Sequence, residues 1–95
     1  MVMDLERALR KAIKTGKVYI GSKRTLKALK NNEAKLVIIA ENCPREISEE
    51  IEKYDVPVIK YRGNNMDLGA VCGKPFSVLT LAVVDPGESE IINAQ

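Results

Sequence analysis

At 95 residues, 45% of them hydrophobic, the chain can bury one core but not two, so a single small domain over residues 1–95 is expected. No apolar run approaches the roughly 20 residues of a membrane helix, and residues 1–12 are amphipathic and charged where a secretory leader would be apolar; a soluble cytoplasmic protein with no membrane contact is expected. Histidine is absent and Cys43 and Cys72 lack metal or redox spacing, so reduced thiols and no metal or cofactor are expected. Net charge is only +2, but it is unevenly spread. Through Lys30 nine basic residues face two acidic ones, a balance of +7, while the remaining six basic and eleven acidic residues give −5. Such asymmetry directs one basic face at a polyanion.

In chain order, Leu5, Ala8, Leu9, Ala12 and Ile13 follow the spacing of an amphipathic helix, with Asp4 near its start and Gly16 beyond its end. Lys17 to Ile20 reads as a short strand. A second helix follows from Ser22 to about Asn31, with Ser22 at the N-cap position and Leu26 and Leu29 as its packing residues. Lys23 and Arg24 then fall in its first turn, where free N–H groups and the helix dipole repel cations. The same place suits a phosphate. Lys23, Lys27 and Lys30 continue the charge along one side; such a stripe is usually only a solvated face, but here it extends a basic helix start.

Leu36 to Ala40 is apolar throughout, as in a strand covered on both faces. Glu41-Asn42-Cys43-Pro44 turns into a third helix, with Pro44 expected at its first position, Ile47, Ile51 and Tyr54 as its buried stripe, and Glu46, Glu49 and Glu50 early, as the dipole favours. Val56 to Tyr61 reads as a third strand, placed at a sheet edge or strand start by Pro57. Arg62 to Asn65 turns the chain, and Asn64 with Asp67 forms a capping box for a short fourth helix ending at Gly73. Ser77 to Val84 supplies the last strand, Asp85-Pro86-Gly87 turns, and Ile91 and Ile92 are expected to dock on the core. Four strands alternating with helices predict an α/β fold, a three-layer α/β/α sandwich around a mixed four-stranded sheet. The loops at Gly21 to Arg24, Glu41 to Cys43 and Gly69 to Phe76 would gather at one end of that sheet. In the last of these, Val71 and Phe76 read equally as contacts for a partner and as core, and Gly73 as a close approach or a C-cap.

Four motifs occur in order: Gly21-Ser22-Lys23-Arg24-Thr25, Ile39-Ala40-Glu41-Asn42-Cys43-Pro44, Asn64-Asn65-Met66-Asp67-Leu68-Gly69 through Gly73-Lys74, and Val84-Asp85-Pro86-Gly87-Glu88-Ser89. With them the chain resembles the kink-turn RNA-binding superfamily of ribosomal proteins, and within it the archaeal and eukaryotic L-thirty family of the large subunit. The resemblance spans essentially the whole chain. It implies a non-enzymatic protein that clamps a sharply bent, internally looped RNA. On that resemblance Gly21, Ser22, Lys23, Arg24 and Lys27 contact phosphates and the G·A-paired region, while Glu41, Asn42 and Arg45 face bulged nucleotides. Val71, Gly73, Lys74 and Phe76 pack against a flipped or stacked base, and Arg62 joins them from the neighbouring turn. Cations for converging phosphates, an amide for a base edge and a ring for stacking suit that assignment. Better-known kink-turn binders carry Asn-Glu where this chain has Lys23-Arg24, so the base contacts of that pair do not transfer, and shape and phosphates carry more of the recognition.

The resemblance implies ribosomal RNA and neighbouring ribosomal proteins as partners, messenger RNA as a further RNA class, and a monomer when free. Three other readings compete. A core protein of a non-ribosomal ribonucleoprotein would use the same surface. A thiol-dependent enzyme would use Cys43, whose place before Pro44 at a helix start can favour thiolate, but no histidine stands ready as its base. A protein-binding adaptor would use the apolar Gly69 to Phe76 segment, and its binding would not respond to salt.

Overall fold

One of the two inner strands of the sheet is the last among the described residues. The structure, a computed structural model, describes residues 5–89. Its elements are α1 (Leu5–Thr15), β1 (Lys17–Ile20), α2 (Ser22–Lys30), β2 (Leu36–Ile39), α3 (Arg45–Glu52), β3 (Val58–Lys60), α4 (Asn65–Val71) and β4 (Thr80–Asp85). The strand order is β1-β4-β2-β3, with β4 antiparallel to both β1 and β2, and β3 parallel to β2 at the edge. The sheet is therefore mixed, as expected. Asp4 and the expected docking of Ile91 and Ile92 lie outside the described residues.

Period-two alternation along β2 divides the core into two halves. Leu36, Ile38 and Ala40 face α1 and α4, packing with Leu9, Ala12, Leu68 and Val71. Val37 and Ile39 face α2 and α3, packing with Ala28, Leu29 and Ile51. Helices thus cover both faces, which is why β2 reads as a continuous apolar run. Each half is closed at its margin by half-buried side chains, Ile13, Val18 and Ile20 on one face and Tyr19, Leu26 and Ile47 on the other.

Four element starts differ from those the sequence suggests, each for a local reason. The N-cap of α2 is Gly21, not Ser22: the chain leaves β1 at φ 112°, which favours glycine, and Ser22 becomes the first helical residue. Pro44 is the N-cap of α3, and its extended backbone (ψ 142°) puts Arg45 first in the helix. Strand β3 is shorter than expected and begins only after Pro57, although the Pro57 carbonyl already accepts from Val37 N–H at 3.0 Å. Strand β4 begins at Thr80 rather than Ser77 because the preceding segment crosses α4. At that crossing Val78 N–H donates to Asn65 O at 2.9 Å, and a Cβ on Gly69 would fall on the Phe76 carbonyl oxygen.

The capping box of α4 forms as expected. Asn64 Oδ1 accepts from Met66 and Asp67 N–H at 2.9 Å, and Asp67 Oδ2 accepts from Asn64 N–H at 3.0 Å. Beyond the helix Gly73 takes φ 72°, with Gly73 N–H bonded to Ala70 O and Lys74 N–H to Gly69 O, both at 3.0 Å. That pair of bonds is a Schellman ending, and Gly73 serves it.

This packing sets the sign of one substitution and the pH dependence of another. Alanine normally stabilises a helix interior relative to glycine by about 1 kcal/mol, but Gly69→Ala should instead destabilise by about 1–3 kcal/mol, because backbone must move to admit the methyl. Urea unfolding of the two proteins decides the sign. Tyr61 is only 6% exposed and donates its phenol to Glu6 Oε1 at 2.8 Å. Burial first, and the Glu6 hydrogen bond second, push its pKa from 10 to about 12. The unfolded chain therefore ionises first. Stability contributed by Tyr61 is intact below pH 10 and is lost as pH rises through 12, a loss on the order of 2 kcal/mol. Wild-type urea midpoints should fall more steeply over that range than those of Tyr61→Phe, and parallel profiles would assign the alkaline loss to other groups.

Candidate nucleic-acid interface

Strand register brings two of the expected loops, Gly21 to Arg24 and Glu41 to Cys43, together with the turn after β3. Ile20 pairs with Leu81, Ile39 with Thr80 and Ile39 with Lys60, so β1, β2 and β3 all end at one edge, where β4 begins. Gly21 N–H donates to Thr80 O at 2.9 Å and Ala40 N–H to Leu79 O at 2.8 Å, while Glu41 N–H donates to Gly63 O at 2.8 Å. The start of α2, the β2–α3 turn and the turn after β3 therefore share one end of the sheet.

A chain of hydrogen bonds fixes the α2 start. Thr80 Oγ1 donates to Thr25 Oγ1 at 3.2 Å, and Thr25 Oγ1 donates to Gly21 O at 2.8 Å. Both threonines are fully buried. Ser22 Oγ lies 3.5 Å from Thr80 Oγ1, so this hydroxyl faces the strand and makes no cap bond. The first helical bond is Thr25 N–H to Gly21 O, at 2.9 Å. The N–H groups of Ser22, Lys23 and Arg24 precede that bond and point out of the helix end, without a side-chain cap and without an acidic residue in the first turn. Lys23, Arg24 and Lys27 have no acidic partner within 4 Å among the described residues. Three free donors and two cations at the positive end of a helix dipole are chemically suited to a phosphate.

On the neighbouring turn Asn42 is exposed but not idle. Its Nδ2 donates to Asn65 Oδ1 at 2.9 Å, and its Oδ1 accepts from Asn65 N–H at 2.8 Å. This reciprocal pair clasps the β2–α3 turn to the start of α4. One Nδ2 hydrogen of Asn42 remains for a partner. Glu41 is exposed beside it. Arg45 lies in the first turn of α3, with its Nε 3.0 Å from Glu49 Oε1, so its charge is already paired. Arg62, Gly73 and Lys74 are exposed.

The Val71 to Phe76 segment separates into its two readings. Val71 is 7% exposed and belongs to the core against α1, with its carbonyl accepting from Arg10 Nε at 3.3 Å. Its side chain is therefore not presented to a partner, since the apolar stripe of α4 points it inward. Phe76 is 57% exposed, held out by the crossing over Gly69. Met66, 67% exposed in the first turn of α4, is a further apolar surface group that sequence reasoning missed. Its position off the Leu68 and Val71 stripe was the available signal. Asn65 and Thr80, which fix the loops, were also missed. Cys43 departs from its expectation in the other direction. Partial burial raises its thiol pKa, despite a lowering effect of Lys60, and Sγ sits 3.7 Å from Pro44 O. Burial also pushes Cys72 up, to about 11.

Residues 3–93 match the Ribosomal protein L7Ae/L30e/S12e/Gadd45 family. The chain belongs to this family. Among curated relatives, a large ribosomal subunit protein eL30 of Methanopyrus kandleri is 52% identical over 95 residues, covering 96% of this chain and 87% of the relative. The protein of the same name from Methanosarcina mazei is 46% identical over 94 residues, covering 99% and 91%. That from Archaeoglobus fulgidus is 51% identical over 82 residues, covering 86% and 95%. A solved structure of a Bacillus halodurans protein of unknown function superposes with a TM-score of 0.80 at 24% identity, covering 96% of this chain and 94% of that one. That likeness concerns the fold alone.

The α2 start also predicts a conflict between stability and binding. Lys23→Glu and Arg24→Glu should each stabilise the free protein by about 0.3–1 kcal/mol, by turning dipole repulsion into attraction. Thermal melts at low salt should show the gain, and an unchanged or lower melting temperature would mean the cations are not set against the dipole.

Proposed function

We propose that this chain is a structural component of the large ribosomal subunit, acting as one RNA-binding domain that grips a kinked internal loop of ribosomal RNA. The α2 start carries the proposal: uncapped N–H groups of Ser22, Lys23 and Arg24, with two unpaired cations, anchored through Thr25 to the inner strand β4. Membership of the family and the name shared by its archaeal relatives support the ribosomal setting, and with it a cytoplasmic place and other ribosomal proteins as neighbours. Phosphates converging at a bend meet Lys23, Arg24 and Lys27, which position the RNA. Asn42 offers its remaining N–H to a base edge, with Arg62 and Lys74 at the flanks. Phe76 supplies a stacking face to a base displaced from the helix.

The role is non-enzymatic. The one half-exposed thiol among the described residues, Cys43, is shifted towards its neutral form, which weakens the thiolate chemistry that the competing enzyme reading requires.

Titration against a kinked RNA and a fully paired control, at several salt concentrations, tests the proposal. The kinked RNA alone should bind tightly, and the affinity should fall with salt. Neutralising Lys23 and Arg24 together should weaken binding and lower the log-log salt slope by about 0.7–0.9 for each phosphate that the protein no longer neutralises. Equal weak binding to both RNAs would leave only a basic surface. Binding insensitive to salt would favour a protein-docking role for Met66 and Phe76. Phe76→Ala should cost about 1–3 kcal/mol of RNA affinity with its melting temperature nearly unchanged; a fall in melting temperature alone would return Phe76 to the core.

A further inference from the structure

Beside the proposed interface lies an open cleft of about 330 Å³ between α2 and the edge strand β1, lined by Tyr19, Arg24, Lys27, Asn31 and Glu33. Its size is at the lower end of ligand pockets, which run from about 300 to 1,000 Å³. Arg24 and Lys27 are successive neighbours on one helix face, and Asn31 is one turn further, about 10 Å beyond Arg24 along the axis. The far rim is rigidly built. Asn32 adopts φ 58°, and its N–H donates to Leu29 O at 3.1 Å while Glu33 N–H donates to Ala28 O at 2.9 Å, a Schellman ending that fixes Asn31 and Glu33 relative to the helix. Tyr19 closes the strand side, packed from behind against the core; the ammonium of the exposed Lys17 lies over its outer face, 5.2 Å from the ring centroid, so a base that stacks there displaces Lys17.

The lining sorts into three chemistries. Two cations at the near end hold a phosphate, and an aromatic ring takes the face of a base. At the far end, a carboxylate that only accepts and an amide that both donates and accepts meet a base edge. Guanine fits that edge, since its Watson–Crick side presents adjacent N–H donors and a carbonyl. Arg24 and Lys27 also belong to the proposed phosphate site, so the cleft is continuous with it. We infer that the cleft between α2 and β1 holds one unpaired guanosine of the bound RNA, its phosphate at Arg24 and Lys27, its base against Tyr19 and its edge at Asn31 and Glu33. The inference rests on the RNA-binding reading above and extends it from the bend to a neighbouring single-stranded nucleotide.

The test compares a kinked RNA without extension to the same RNA carrying a short single strand with guanosine or adenosine, placed on either flank of the internal loop. Wild-type protein should bind one guanosine-extended form about fivefold or more tightly than the unextended RNA, and more tightly than its adenosine counterpart. Glu33→Gln, an exposed change that leaves the bend-binding residues untouched, should abolish the preference for guanosine while binding the unextended RNA as before. Binding of the unextended RNA with no gain from any extension overturns the cleft assignment alone. Failure to bind even the unextended RNA overturns the parent reading and the cleft with it. In a parallel arm, free guanosine monophosphate is titrated while the amide signals of Tyr19, Asn31 and Glu33 are followed by NMR. Saturation there without any gain from an extension would make the cleft a site for a free nucleotide and overturn the RNA strand as its source.

Discussion

The hydrogen bonds joining Thr80, Thr25 and Gly21 are the constraint on which the surface depends. They run through two threonines with no solvent exposure, so breaking either bond would leave a buried hydroxyl unpaired, at a cost of about 1–3 kcal/mol. Through them the inner strand β4 dictates where the first turn of α2 stands. Because the N-cap is Gly21, which has no side chain, and Ser22 turns toward Thr80, no side chain caps the helix. The free N–H groups are thus a product of how the helix is anchored. A phosphate bound at that end would replace what a cap would have supplied.

The two other loops reach the same edge by different means. The β2–α3 turn is positioned by main-chain bonds from Ala40 and Glu41, and then by the amide pair of Asn42 and Asn65 across 23 residues of sequence. The segment before β4 is positioned by close approach at Gly69, which pushes Phe76 outward. A rigid edge with a few exposed side chains suits recognition by shape, where little ordering remains to be done on binding.

Much of the layering was legible because it rests on periodicity. The continuous run at Leu36 to Ala40 announced a strand covered on both sides, and Asn64 with Asp67 announced the box that forms. Residue type misled at Ser22, where serine is a favoured cap but the turn out of β1 needed the positive φ that Gly21 supplies. The beginning of β4 was illegible for another reason: Val78 and Leu79 are as apolar as the strand, so hydrophobicity alone cannot separate a crossing segment from a ladder. Within the candidate site, the cations were visible as charges placed against the dipole. The clasp between Asn42 and Asn65 left no periodic trace, and Val71 could be assigned to the core only once the face of α4 was known.

The strand order has a consequence for how the chain is made. Among the described residues β1 pairs only with β4, and β2 pairs with β4 and with β3. As the polypeptide emerges during synthesis, the parallel β2–β3 unit can assemble once β3 has been made, but β1 has no partner until residues 80–85 arrive. Closing that distance carries the entropic cost of a loop of roughly 60 residues before the ladder forms. The nascent chain therefore carries an unpaired strand edge next to its basic α2 until β4 is made.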